Sequence, residues 1–351
     1  MANIVIDPVI VMAPADDLAK PEVEVWLENL TIWLQEALTA PFTWLHYRQA
    51  SELLEAHGQF PNFARLKQLQ QKHRLNINIR QIATNVNAFF RDETLDLESH
   101  LQRLEYAIEA EVSSIIIKPE QFIARLPNYM HNGLHLLLAN CCACKHLDLP
   151  FGQELHIATL ALANGSREIL ISVVIIDALP DFVRSADNRI TQTIPILITP
   201  DDLLSLTDFI EMWAKGGHGI LYAIKQQYKR DWPDNTINPF RFRLGPRFIE
   251  SVNERGLNSN EIVLRSIIRA ASYVIADKVK EIPGYRLHQF RTGETADSPQ
   301  LIRDSDHARA WRLMIQKHGA GWRLHYWQIP TPEGSTIEFA NICKESEREI
   351  Y

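Results

Sequence analysis

The stretch AWRLMIQKHGAGWRLHYWQIP, residues 310–330, holds three tryptophans and two arginines. The two-residue repeat of a strand sorts it into two faces. One face carries Trp311, Leu313, Ile315, Trp322, Leu324 and Tyr326 and reads as a core. The other carries Arg312, Met314, Gln316, Arg323, His325 and Trp327. Guanidinium groups there can hold negative charge. An imidazole titrating near neutrality can act as general acid or base. An indole can stack on a flat ring. Arg323 and His325 point away from the Trp311/Trp322 core, so replacing either should leave the fold intact.

Two further groupings hold residues of ligating type. HNGLHLLLANCCACKH, residues 131–146, brings His131, His135, Cys142 and His146 near one stripe of a helix, and i,i+4 pairs suit zinc. Paired CxxC spacing is absent, and four ligands along one helix span too far for one ion. A buried helix rich in small cysteines accounts for the run equally well. Asp7, Asp181, Asp201 and Asp202 each fall at or just after an expected strand end, where carboxylates can gather magnesium. Asp201 and Asp202, following Thr199-Pro200, fit helix capping better. GxxxxGK[ST], GxGxxG and GxSxG do not occur, so nucleotide and serine-hydrolase readings lack motif support. No metal and no cofactor is expected.

The elements that must position these residues fall into two groups. Residues 1–235 read as an α/β domain. NIVIDPVIVM suggests an opening strand. Apolar positions 23, 26, 27, 30, 33, 34 and 38 form a helical stripe, and Ile79, Ile82, Val86, Phe89 and Phe90 form another. VSSIIIKPE reads as a buried strand stopped by Pro119. ELHIATLALANGSREILISVVIID reads as two strands joined in a hairpin at Asn164-Gly165. A helix is expected from Thr199, with Pro200 just inside it. The polar stretch 229–242, with Pro233 and Pro239, has a linker's composition and sets a boundary at 235/236.

Residues 236–351 read as a small α+β domain in the order β-α-α-β-β-β. FRFRL alternates as a strand, and a short helix ends at Gly256. A longer helix follows, striped by Leu264, Ile268, Ala271, Ile275 and Val279, with an N-cap at Asn258 or Ser259. A polar loop spans 292–307, and three alternating strands on tight connections cover 310–343.

Charge is uneven. Residues 236–351 hold 17 Lys and Arg against 14 Asp and Glu, a net +3, and the remainder holds 19 against 29, a net −10. Binding of a polyanion through overall charge is therefore unsupported, and a local basic face is what remains. No stretch of 18 apolar residues suggests a membrane span. The N-terminal residues lack the pattern of a signal peptide. Four cysteines, three of them at 141, 142 and 144, do not read as a secreted disulfide framework, which points to a reducing cytoplasm.

The order and residues of 236–351 resemble the RelE/ParE superfamily of small bacterial toxins, which pack a hairpin of helices on an antiparallel sheet. Trp311-Arg312 match its aromatic-basic motif. Gly321-Trp322-Arg323-Leu324-His325-Tyr326 match its glycine-aromatic-arginine motif. TIEFANI matches the strand after it, and CKESEREIY, with Lys344 and Tyr351, matches its tail. The resemblance implies mRNA cleavage without a metal, in which a 2′-hydroxyl attacks the adjacent phosphate. That reaction needs a proton acceptor, cations for the charged phosphorane and a donor for the leaving oxygen. By position, Arg312, Arg323 and Tyr351 match family site residues, and His325 stands beside Arg323 as an acid or base. RNA contact falls to Arg312, Arg323, Trp327 and Lys344.

Some positions depart from the family. Met314 and Glu345 stand where basic residues are usual, and Glu338 lies on or beside the face. The carboxylate of Tyr351 itself should raise its phenol pKa. In the plainest reading Arg312, Arg323 and Glu338 form a solvated ion-pair ladder, with Trp327 capping the sheet edge. Two functions follow as expectations. One is a toxin-type, metal-independent endoribonuclease or RNA-binding effector, acting on RNA or ribosome-associated mRNA in antiviral defence or growth arrest. The other is a non-catalytic nucleic-acid- or protein-binding subunit of a larger defence assembly.

Overall fold

The computed structural model describes residues 2–90, 95–103, 106–147, 149, 154–179, 188–234, 238–281, 286–293, 297–315 and 321–351. Helices and strands are mixed along the chain, and two sheets form. Contacts divide the chain into Met1–Leu206 and Thr207–Tyr351. The sequence expectation set the division later, at 235/236. Helices Phe209–Ala214 and Gly217–Asp231 instead belong with the second unit, because their apolar faces pack on helix Glu261–Ile275. Gly219 permits the close approach of those two helices: a Cβ there would lie 1.9 Å from the carbonyl oxygen of Met212.

The first unit holds strands β1 (Asn3–Ile6), β2 (Thr43–His46), β3 (Leu95–Asp96), β4 (Ala107–Ala110), β5 (Ile116–Lys118), β6 (Leu155–Ala158), β7 (Glu168–Leu179) and β8 (Arg189–Leu197). Their order is β3-β2-β1-β6-β8-β7-β4, with β5 on β7. From β3 to β8 the pairs are parallel, and β7 runs antiparallel to its neighbours. Every residue of β1 is buried, as suits a parallel strand covered on both faces. The apolar stripe 23–34 lies on helix Lys20–Thr39, as its spacing predicts.

Two expectations fail here. Asn164-Gly165 is a turn, with Gly165 at φ +69°, but it does not close a hairpin. β6 is a central strand flanked by β1 and β8, both parallel to it, and β7 pairs with β8 instead. β5 is not a buried strand either, since only Ile117 of its three residues is covered.

The second unit holds β9 (Arg241–Leu244), β10 (Leu287–Gln289), β11 (Ile302–Arg303), β12 (Ala308–Met314), β13 (Arg323–Thr331) and β14 (Gly334–Cys343). Their order is β10-β12-β13-β14-β9, with β11 on β12. β9 is parallel to β14, and all other pairs are antiparallel. The segment expected as a polar loop thus supplies β11. Helix Glu261–Ile275 buries Leu264, Ile268, Ala271 and Ile275 as its stripe predicts. Its N-cap is Asn260, whose Oδ1 accepts from the amide of Val263 at 3.2 Å, while Asn258 and Ser259 lie in a preceding 3-10 turn. Among the described residues, no helix is long and apolar enough to cross a membrane.

Candidate functional site

Strand register lines the second face of the C-terminal sheet with three rows of side chains. Met314, Arg323 and Cys343 make one, and His288, Arg312, His325 and Asn341 make the next. Ala310, Trp327 and Glu338 make the third, with Phe290 beside Ala310. A register shift between His325 and Tyr326 leaves Ala340 as the extra residue of β14. The register therefore brings Arg312, Arg323, His325 and Trp327 together. Gln316 lies outside the described residues.

This face is not a solvated surface. His325 is 1% exposed, Trp327 4% and Arg323 8%. Phe290, Ala308, Ala310, Trp327 and Ala340 form a second small core, on which Leu301, Ile329 and Ile350 pack. The expectation that Arg323 and His325 can be replaced without cost to the fold is therefore corrected, because both are buried on the far side of the sheet. Residues 344–351 supply much of the cover. The carbonyl of Glu349 accepts from His325 Nδ1 at 2.9 Å and from Asn341 Nδ2 at 3.0 Å. Trp327 Nε1 donates to the main-chain oxygen of Tyr351, and Arg323 pairs with Glu345.

Electrostatics follow from this enclosure. Burial pushes the His325 imidazole down to about 4; the bond to Glu349 opposes this, and Arg312 and Arg323 add to it. Burial pushes the Cys343 thiol, 3.3 Å from His325 Nε2, up to about 12. Both groups are neutral at pH 7, so the pair is not a thiolate–imidazolium couple. Arg312 is half-buried, and burial first, then Arg323 and Arg348, lower its pKa. The Nε atoms of Arg312 and Arg323 and Oδ1 of Asn341 are buried without a hydrogen-bond partner among the described residues. Tyr351 is exposed, and its phenol donates to the Glu349 carboxylate, the first cause of its raised pKa. Lys344 is exposed where the tail begins.

Glu338 does not join Arg312 and Arg323 in a ladder. It is 5% exposed and accepts from Arg243 Nε and Arg303 Nη1, each at 2.6 Å. Arg303 also binds Asp306 and lies 4.8 Å over the Trp327 ring. Trp327 is thus held between a cation and the tail rather than capping an open edge.

The other sequence candidates separate. Helix Asn128–His146 forms, with all three of its cysteines buried. His131 Nε2 contacts the Leu126 carbonyl, and Cys142 points at the Ile171 carbonyl. Among the described residues, no three His, Cys, Asp or Glu side chains gather as a metal site. Asp7 caps the turn at Pro8–Val11, accepts from Thr159 Oγ1 at 2.6 Å and pairs with Arg125. Asp202 accepts from the amides of Ile198 and Thr199 in a capping role, and Asp201 shares its turn. Asp181 lies outside the described residues.

A cleft that sequence reasoning missed lies in the first unit, at the carboxyl ends of β2 and β3. Its volume is about 790 Å³. His46 ends β2 and stands opposite Asp96, which ends β3. Asp96 accepts from the amide of Arg48 at 3.1 Å and from that of Ser99 at 2.9 Å. Burial would raise its carboxyl pKa, but these bonds outweigh burial and hold it low. Burial lowers the pKa of His46 and of His100. Arg48, Arg103, Glu52 and Glu55 also line the cleft, as do Phe60 and Phe90. The Phe90 ring lies 5.3 Å from His46 and 5.4 Å from Phe60. The sequence offered only Asp96 directly before one helix and His46 two residues before another, 50 positions apart.

No family model matches the chain, and no curated protein or solved structure matches it either.

Proposed function

We propose that the Thr207–Tyr351 unit is an RNA-binding module of RelE-like build, whose binding face is held closed by the chain's own acidic tail and does not cut RNA while closed. The strand order supports the build: β12, β13 and β14 are antiparallel neighbours, β9 flanks β14, and both helices after β9 precede them in the chain. The observation that carries the reading is the pair Arg323–Glu345. It puts a carboxylate on the guanidinium that the resemblance assigns to phosphate. Burial first, and then the charges of Arg323 and Arg348, lower the pKa of Arg312, while Glu345 opposes them, so positive charge converges on this face and the tail carboxylate offsets part of it.

His325 favours binding over catalysis, since a general base must reach the proton it takes and this imidazole is enclosed. A toxin-type endoribonuclease is the second reading. It is favoured by the charges of Arg312 and Arg323 acting on His325, the arrangement transesterification needs. It requires the tail to leave. The four buried free thiols support a reducing cytoplasmic setting, where the module would serve antiviral defence or growth arrest, alone or within a larger assembly.

The experiment measures binding and cleavage of single-stranded RNA, without metal. It compares the full chain, Glu345→Ala, and a chain lacking 345–351. Weak binding by the full chain and tighter, salt-dependent binding by Glu345→Ala are expected. Cleavage by Glu345→Ala, which keeps Tyr351, would establish the ribonuclease reading. Absence of RNA binding in all three would end both.

A further inference from the structure

The cleft opens beyond the carboxyl ends of β2 and β3, the end from which open parallel sheets receive ligands, toward the β3 edge and away from the reversal of strand order between β1 and β6. Its volume of about 790 Å³ is within the range of small-molecule sites. Three kinds of chemistry line it. Arg48 and Arg103 supply positive charge, Glu52 and Glu55 supply acceptors, and Phe60 and Phe90 supply flat apolar surface. An inorganic anion would leave the rings unused, and an apolar ligand would leave four charges unused. A phosphate, a ribose and a base in one molecule use all three.

We propose that this cleft binds a mononucleotide, with its phosphate toward Arg48 and Arg103, its ribose hydroxyls toward Glu52 and Glu55, and its base against Phe60 and Phe90. The inference rests on the first unit alone and is independent of the RNA-binding reading. The cations come from side chains, so the absence of glycine-rich phosphate loops does not weigh against it. Arg48 Nε is held by Glu52 at 2.9 Å, but both side chains are well exposed, and such pairs contribute little, so a phosphate can displace the carboxylate. Asn62 Oδ1 accepts from the amide of Arg65 at 2.9 Å, and its NH₂ can donate to a base edge. Burial keeps His46 and His100 neutral at pH 7, so neither adds charge to the cleft.

The test is titration calorimetry of the full chain with the four ribonucleoside monophosphates, with ATP, with adenosine and with inorganic phosphate. Variants are Arg103→Ala, Phe60→Leu and, to report nucleotide bound at the opened face of the other unit, Glu345→Ala. Melting curves check that each is folded. At least one nucleotide should bind, with adenosine and phosphate each about tenfold weaker or more. Arg103→Ala should weaken nucleotide binding about tenfold and leave adenosine binding unchanged, whereas Phe60→Leu should weaken both. Any nucleotide binding that Glu345→Ala adds belongs to the other unit and should be insensitive to Arg103→Ala and Phe60→Leu. Absence of binding by every nucleotide at millimolar concentration overturns the proposal. So does a nucleotide whose affinity is unchanged in both Arg103→Ala and Phe60→Leu, or one that responds to Glu345→Ala alone.

Discussion

Trp327 donates its indole N–H to the main-chain oxygen of Tyr351 at 2.7 Å, across 24 residues of sequence. With Glu349 bonded to His325 and Asn341, this makes the tail a structural cover. Removing residues 345–351 takes acceptors from four buried donors, those of Arg323, His325, Asn341 and Trp327. At about 1 kcal/mol for each lost hydrogen bond, the unit should lose about 4 kcal/mol. Trp327 should also meet water, shifting tryptophan emission to the red. Urea unfolding followed by fluorescence measures both. An unshifted spectrum with unchanged stability would mean that the tail does not cover this face in solution.

His325 makes the same unit sensitive to acid. Its folded pKa is about 4 and its ordinary value is 6.5, so the unfolded chain binds its proton first as pH falls. The lowered pKa of a base means stability is full above pH 6.5, declines as pH falls toward 4, and is fully lost below that. The span corresponds to about 3 kcal/mol. Acidic groups also titrate below pH 5, so the comparison is with His325→Gln, which keeps a polar side chain without the titration. Wild type should be the more stable at pH 7, and its advantage should shrink as pH falls through this window. An advantage that stays constant from pH 7 to 4.5 would rule out a buried neutral imidazole.

Glu338 joins β14 to β9 and to β11 through Arg243 and Arg303. Glu338→Ala strands the two cations unequally. Arg303 keeps Asp306, and the more exposed Arg243 can turn to water. The cost should therefore sit near the lower end for a broken buried pair, about 3 kcal/mol. Glu338→Gln, which keeps the acceptor oxygen, should cost less. Chemical unfolding of both variants decides it, and a change under about 0.5 kcal/mol for the alanine variant would show ordinary surface behaviour.

The helix Glu261–Ile275 was legible from its strict apolar period, and the strands of 310–343 from an alternation whose phase shifts in β14 at Ala340. Alternation also sorted the two faces of β12 and β13 correctly. What alternation cannot carry is depth. Arg323, His325 and Trp327 look like a surface because of their side-chain types, and the residues that bury them come from the tail, from Phe290 and from Leu301. Those contacts are long-range and leave no periodic trace. The extra residue at Ala340 has the same effect on β14, shifting Glu338 and Asn341 onto one face although three positions separate them. The cleft in the first unit was missed for a related reason. β3 is two residues long, and Asp96 meets His46 only through parallel strand pairing. The Asn164-Gly165 turn was read as a hairpin because local turn chemistry does not reveal which strand lies between its arms.

The division at Leu206 gives a final prediction. A fragment of residues 1–206 should melt cooperatively, because its sheet and the helices against it are complete within those residues. A fragment of 1–235 should behave worse, not better. It carries Phe209, Met212, Trp213, Ile220 and Ile224, which are buried in the second unit, where helix Glu261–Ile275 packs on their helices and the Phe248 ring lies 6.1 Å from Trp213. Without those partners the five side chains face water, and exposed apolar surface of this kind drives association. Size-exclusion chromatography and thermal melts compare the two fragments. The expected result is a monomeric 1–206 with a sharp transition and a 1–235 that self-associates. A monomeric 1–235 with the higher melting temperature would return the boundary to the polar stretch at 229–242.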